Sequence, residues 1–403
     1  MSQAEDHDNA RKTMPRPSIT IIGAGISGLT LARTLLTKHG IKARIVEKAG
    51  KSVNRHDYGI TLHASAYTRL LGILKVDEQG FKKRVAVDAG IGGTGKMVMR
   101  RGSGGSSSSG DDDDESFRAN RSRLEEMLGE GLDVEWESEV EDVRVEEGGK
   151  KIVVAAVKDG DGLIKQQEEE SDMVVGADGA HSKVRRRFAA EVDFKTLPFA
   201  VYNGRRMVRH EDWEAKRINA LLEGKVVEQK VGKAIFQVSL NDCSREELSV
   251  SYTYSRPART KEEDALFRPE RPKHAAREMP EELFSEIGEV RGKLEEAFRT
   301  VFDPNLMRTD RLLNWLMRTA RVDRQKLREA ADQGVALLGD SAHAQPILGG
   351  MGANEAIEDA IHLAAALEKG SRDSMKQYVN ERYGVWEVGL AASEQATSKL
   401  VKL

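Results

Sequence analysis

A β-branched run, Ser18-Ile19-Thr20-Ile21-Ile22, feeds directly into Gly23-Ala24-Gly25-Ile26-Ser27-Gly28, and this junction constrains the fold more than any other stretch. The run is short and apolar enough to be buried on both faces, as strands of a parallel sheet are. Beyond it, Ile26, Leu29, Thr30, Ala32, Arg33 and Leu36 recur at helical spacing. Strand, glycine turn and helix in that order are the context in which GxGxxG signals a dinucleotide site. Gly23 makes the tight turn, Gly25 lets backbone approach a pyrophosphate, and Gly28 lets helix pack on strand. The helix start then presents free N–H groups to phosphate. A second strand, Ala43 to Glu47, ends in an acid 19 residues after Gly28, the spacing of a carboxylate that binds ribose hydroxyls. The motif names a dinucleotide without saying which one.

Composition narrows the choice. Cys243 is the single cysteine, so the chain has no intrachain disulfide, no cysteine-built metal site and no redox-active cysteine pair; disulfide reductases are excluded. Charged residues make up 32% of the 403, yet the net charge is only −3, which gives no electrostatic case for nucleic acid. No apolar run reaches the length of a membrane span. Residues 1–17 are polar and acidic and read as a disordered leader, so a cytoplasmic protein is expected.

Further along, Gly90-Ile91-Gly92-Gly93-Thr94-Gly95-Lys96 imitates both GxGxxG and a Walker A loop. Met97 stands where Ser or Thr must reach magnesium, and the following residues alternate like a strand, so a hairpin turn is expected. Residues 102–115, rich in Gly, Ser and Asp, read as a flexible insertion. A helix from Arg121 to Leu128 precedes three strand-like runs joined by Gly-rich turns. Met173-Val174-Val175 then enters Gly176-Ala177-Asp178-Gly179, and Val335 to Leu338 enters Gly339-Asp340. Between these lie alternating segments that read as an antiparallel sheet. A glycine cluster, Gly349, Gly350 and Gly352, precedes a helix from Ala353 to Leu367. Three separated strand ends thus carry glycine beside an acid.

Together with Arg121, these motifs resemble the FAD-dependent aromatic-ring monooxygenases built like para-hydroxybenzoate hydroxylase, over residues 18 to about 370, and most closely their fungal secondary-metabolism branch. The resemblance implies an α/β fold: a Rossmann-like (GR2-type) FAD-binding domain with an inserted, mainly antiparallel substrate sheet and C-terminal helices. The expected divisions are 18–190 and 305–370 for the FAD-binding domain, 191–304 for the substrate domain, and 371–403 for a terminal helix. It further implies FAD with its adenosine end on Gly23, Gly25, Gly28, Glu47 and Lys48, and with Val140 flanking the adenine. Arg121 would contact the phosphate and ribityl region, Asp340 a ribityl hydroxyl, and Asp178 both FAD and NAD(P)H. Gly59 would lie along the cofactor, while Gly350, Gly352 and Ala353 would aim a helix N-terminus at the flavin edge that becomes anionic on reduction.

The implied reaction uses NAD(P)H as a transient reductant and dioxygen as co-substrate. A flavin C4a-hydroperoxide would hydroxylate or epoxidise an aromatic or other electron-rich small molecule. No second strand–GxGxxG–helix unit exists for a separate NADPH domain, and no metal is expected. His343, inside the Gly339 motif, is expected to be a structural hydrogen-bonder rather than a base. In the substrate sheet, Asn203 stands where many relatives place an arginine, which leaves Asn203, Arg205, Tyr252 and Tyr254 as the candidate substrate contacts. The same scaffold also serves flavin halogenases and reductases, and a non-catalytic flavin-binding regulator is the reading from another class. A monomer or homodimer fits equally.

Overall fold

The computed structural model describes residues 17–51, 57–97, 116–158, 163–190, 192–212, 215–259, 264–346 and 350–402. Gly349, the 102–115 insertion and nearly all of the leader lie outside them. The central sheet is parallel throughout. Its strands are β1 (Ile19–Ile22), β2 (Arg44–Val46), β5 (Val134–Glu135), β9 (Met173–Gly176) and β17 (Val335–Leu337), in the order β17-β9-β1-β2-β5. β1, β9 and β17 are buried at every residue, as their unbroken apolar runs require. The helix Ile26–His39 ends on Gly40 in the left-handed conformation, and Leu29, Leu31, Ala32 and Leu35 are all buried. It is sandwiched between the sheet and the long helix Gly352–Glu368, so more than one stripe of it is apolar.

A ribbon of β3 (Gly59–Leu62) and β4 (Phe117–Asn120) leads from this core to a second sheet. That sheet contains β11 (Phe199–Arg209), β12 (Val226–Val231), β13 (Ala234–Cys243), β14 (Glu247–Pro257) and β15 (Arg311–Trp315), in the order β12-β13-β14-β11-β15. β15 pairs with β11, so this second sheet runs past the expected boundary at 304 to Trp315. The helices Glu281–Arg291 and Glu296–Val301 cover one face of the sheet, giving it a core separate from that of the parallel sheet.

The second glycine motif is not a phosphate loop. Ala89–Ile91 form a single 3-10 turn, and the loop closes on the chain's own Asp88. The Gly95 N–H donates to Asp88 Oδ1 at 2.7 Å, and a Cβ on Gly93 would stand 2.1 Å from that carboxyl group. Asp88 Oδ2 pairs with Lys225 Nζ at 2.7 Å, with both side chains at most 7% exposed. The glycines therefore wrap an internal ion pair that ties the two sheets' surroundings together. Lys96 forms an antiparallel bridge to Phe117, and residues 98–100 of the expected strand lie outside the described residues.

Candidate functional site

The registers Ile22↔Gly176 and Gly176↔Leu337 place the carboxyl ends of β1, β9 and β17 side by side, with Val46 of β2 beside Ile22. Each strand therefore releases its motif at the same edge, where ligands of parallel α/β sheets bind. Gly23 has φ +110°, and a Cβ there would stand 2.3 Å from the Ala177 carbonyl oxygen. A Cβ on Gly28 would stand 2.0 Å from the Gly23 carbonyl oxygen. At Gly25 the nearest atoms are instead the Arg121 and Glu125 side chains, at 3.7 and 3.9 Å. Glu47 accepts from the Ala24 and Ala49 N–H groups, both at 2.9 Å, which fixes its carboxylate against the turn. Lys48 beside it is exposed. Val140 sits at a bulge in β6 (Ser138–Val145) and is 6% exposed.

Asp178 uses one oxygen to cap the helix Lys183–Phe188, accepting from the Lys183 N–H at 2.7 Å. Its other oxygen, Oδ1, is buried and accepts nothing. Asp340 follows Gly339, whose φ of +59° lets the backbone lie close to Ser27 and Ala356. Asp340 is open to solvent, yet surrounding protein raises its pKa by desolvation, against the pull of His343, Arg121 and Arg185.

Arg121 opens the helix Arg121–Gly129, with Nε on Glu125 Oε1 at 2.9 Å and a second nitrogen on the Tyr58 hydroxyl. Burial would lower its pKa, but Tyr58 and Glu125 outweigh burial and hold the guanidinium charged. Desolvation pushes Arg118, on β4, down to about 10, and its Nε is buried without a partner. The Gly59 N–H donates to Asn241 Oδ1 at 3.1 Å, and a Cβ there would meet the Leu240 carbonyl oxygen at 2.4 Å. Gly59 thus seats β3 against β13.

The helix Gly352–Glu368 begins without a side-chain cap. Gly350 has φ +70°, and no described atom lies within 4 Å of where a Cβ would stand on Gly350 or Gly352. Ala353 is half-buried just behind them. Asn354 pins this helix start to β3, accepting from the His63 N–H at 2.9 Å and donating to the Thr61 carbonyl at 3.0 Å. Sequence reasoning missed both Arg118 and Asn354. The signal for Asn354 was its place in the first turn of the helix, just after the glycine cluster. His343 Nε2 lies 2.6 Å from Asp359 Oδ2, and the ring stacks on Trp386. Arg382 and Trp386 hold the other Asp359 oxygen.

Strand alternation separates the four candidate substrate residues. Tyr252 and Tyr254 are each 1% exposed and donate at 2.5 Å to Asp310 and Glu286 under the covering helices. Phe302 packs edge-on to Tyr252 with ring centroids 5.3 Å apart. These tyrosines are core and are closed to a ligand, a correction to the expectation above. Asn203 and Arg205 occupy the opposite face, across from Thr253 and Ser251. That face remains partly open, and Arg205 pairs with Asp57 at the start of β3. Asp57 in turn accepts from Asn120, next to Arg121, so this face is linked to the start of the helix Arg121–Gly129.

This edge suits one kind of ligand: long, anionic at its middle and rich in hydroxyls. Uncapped helix starts and Arg121 suit a pyrophosphate, while the unused oxygens of Asp178 and Asp340 suit hydroxyl donors. FAD has those parts. Among the described residues no group of His, Cys, Asp and Glu is arranged to hold a metal ion, and no helix is long and apolar enough to cross a membrane.

The family described as FAD binding domain matches residues 16–389. The FAD-dependent monooxygenase vrtH of Penicillium aethiopicum is 31% identical over 89% of this chain and 86% of its own length. The FAD-dependent monooxygenase nscC of Aspergillus fumigatus is 32% identical over 91% of this chain and 90% of its own. Among solved structures, 2,6-dihydroxypyridine-3-hydroxylase from Arthrobacter nicotinovorans superposes with a TM-score of 0.70 at 17% identity, covering 96% of this chain and 93% of that one. The chain therefore belongs to the FAD-binding-domain family, as an FAD-dependent monooxygenase of the fungal secondary-metabolite type.

Proposed function

We propose that the chain hydroxylates or epoxidises an aromatic or other electron-rich small molecule, using NAD(P)H and dioxygen. The observation that carries this reading is the uncapped, glycine-led start of the helix Gly352–Glu368, pinned to β3 by Asn354, with no described atom within 4 Å of a Cβ placed on Gly350 or Gly352. A positive helix end there favours the more negative, reduced form of a flavin. FAD supplies the redox chemistry, taking electrons from NAD(P)H and, with dioxygen, delivering one oxygen atom to substrate and one to water.

The protein's own residues bind, orient and exclude water. Gly23, Gly25, Gly28, Glu47, Lys48 and Val140 hold the adenosine end. Arg121 neutralises phosphate, Asp178 and Asp340 accept from cofactor hydroxyls, and Gly350, Gly352 and Ala353 allow backbone to approach the ring. Gly59 positions β3 alongside, and Asn203 and Arg205 face the substrate.

NAD(P)H would dock transiently at a cationic cluster beside Asp178. Burial lowers the His181 pKa, and the positive charges of Lys273, Arg318, Arg185 and Lys48 lower it further. Arg318→Glu is expected to raise KM for NADPH about tenfold, with kcat at saturating NADPH and FAD content nearly unchanged; steady-state assays at two salt concentrations check this. The central test is anaerobic flavin reduction by NADPH across a panel of phenols and indoles. Slow bleaching that accelerates with one ligand class supports the proposal. FAD-loaded protein that NADPH never bleaches, with or without ligand, overturns it.

A further inference from the structure

The open face of the substrate sheet carries a positive charge that is already cancelled. Arg205 points from the middle of β11, with its side chain 34% exposed, and its guanidinium is held by Asp57, 21% exposed. Asp57 does not wander to this pairing. Its second oxygen accepts from Asn120 Nδ2 at 2.7 Å, and the same amide donates to the Asn241 carbonyl at 2.9 Å. Asn120 immediately precedes Arg121, so the carboxylate is anchored to the segment that holds the cofactor arginine. Around Arg205 the same face offers neutral hydrogen-bonding groups: Asn203, whose amide donates to Thr253 Oγ1 at 3.0 Å, and Ser251, whose hydroxyl accepts from Asn241 at 2.8 Å. Arg311 of β15 is in register with Arg205 and is exposed.

Two arginines on neighbouring strands would form a clamp for a carboxylate, because each guanidinium matches its planar fork. Asp57 occupies one of them with a carboxylate of the protein. We propose that Asp57 is a specificity-determining residue: by cancelling Arg205 it reserves this face for uncharged, hydroxyl- or carbonyl-bearing rings and turns away ring carboxylates. This rests on the assignment of that face to the substrate under the monooxygenase reading above. An incoming carboxylate must displace Asp57 or lie beside it, and like charges in a partly desolvated site repel. A phenol or ketone meets Asn203 and Ser251 without that cost.

The test uses the full-length, FAD-loaded protein and two ligands with one ring system, 2-naphthol and 3-hydroxy-2-naphthoate, at pH 7.5. Binding is read by calorimetry and by perturbation of the flavin absorbance, neither of which needs turnover. The wild type is expected to favour 2-naphthol by about tenfold, and Asp57→Asn to improve 3-hydroxy-2-naphthoate by about tenfold or more while changing 2-naphthol little. Adding Arg205→Gln to Asp57→Asn is expected to remove that gain, which separates a freed arginine from general loosening of the site. Preference of the wild type for the carboxylate, an unchanged ratio in Asp57→Asn, a gain that survives Arg205→Gln, or binding of neither ring each overturns the proposal. A protein that shows the expected binding pattern but oxidises no NADPH with either ring overturns the hydroxylase reading instead and leaves the charge rule intact.

Discussion

Gly28→Ala is expected to yield protein that emerges from gel filtration without FAD. The added Cβ would stand 2.0 Å from the Gly23 carbonyl oxygen, and the obstacle is backbone, which no rotamer change relieves. Gly23 cannot retreat, because its own Cα faces the Ala177 carbonyl with only 2.3 Å for a Cβ. Strand β1, the turn and the helix Ile26–His39 must therefore separate, and the helix N–H groups lose their aim. A loss of more than about 100-fold in FAD affinity, roughly 3 kcal/mol, is expected together with a lower Tm. Gly25→Ala is the informative contrast. Its Cβ would meet Arg121 at an ordinary 3.7 Å, so the apoprotein's Tm should hold while FAD binding alone weakens. The ratio of flavin to protein absorbance and a thermal melt read both variants. Stoichiometric FAD in Gly28→Ala would contradict the account of the turn.

The parts of this site legible in sequence were those in which a short local pattern dictates backbone geometry. Gly23 to Gly28, Gly176 to Gly179 and Gly339–Asp340 each pair a buried strand with a turn that only glycine fits, and a parallel sheet then brings such strand ends to one edge. What stayed hidden depended on partners distant in the chain. Alternation puts Tyr252 and Tyr254 on one side of their strand, while the β11–β14 register puts Asn203 and Arg205 on the other face. Only the helices Glu281–Arg291 and Glu296–Val301, packed on the tyrosine side, decide which face is open. Likewise β15 reads as an approach to α/β structure, because its partner β11 lies about a hundred residues earlier. The loop at Gly90 reads as a hairpin turn, since the Lys225 that pairs with the Asp88 it wraps lies far along the chain. Asn354 carries no periodic signal at all; its role comes from the two backbone groups of β3 it happens to meet.

The antiparallel sheet β12-β13-β14-β11-β15 rests on a buried charge cluster whose removal should be the most destabilising single change in that half of the molecule. Arg256 holds Asp264 with two bonds of 2.8 Å, and these side chains are 7% and 1% exposed. Asp264 also accepts from the Arg259 and Leu266 N–H groups, while Glu286 takes Arg256 Nε and the Tyr254 hydroxyl, each at 2.5 Å. Asp264→Ala leaves a buried guanidinium half-satisfied and two N–H groups orphaned, for an expected cost of about 3 to 5 kcal/mol, toward the lower end because Glu286 remains. Acid supplies a second reading of the same cluster. Burial would raise the Asp264 pKa, but Arg256 and the two N–H groups overcome it and bring the carboxyl down to about 2. Its folded pKa thus lies below the unfolded value of about 3.9, so the stabilisation is fully present above that value and is lost as pH falls toward 2. The loss amounts to about 2 to 3 kcal/mol across that window. Asp264→Asn, which cannot titrate, should therefore flatten the acid limb of a urea-unfolding series between pH 4 and 2 while lowering stability at pH 7. A variant whose acid limb matches the wild type would show that other carboxylates carry it. Loss of the cluster should loosen β14 and expose Tyr254, so the same variants should also weaken ligand binding on the Asn203 face, because both faces belong to the same strands.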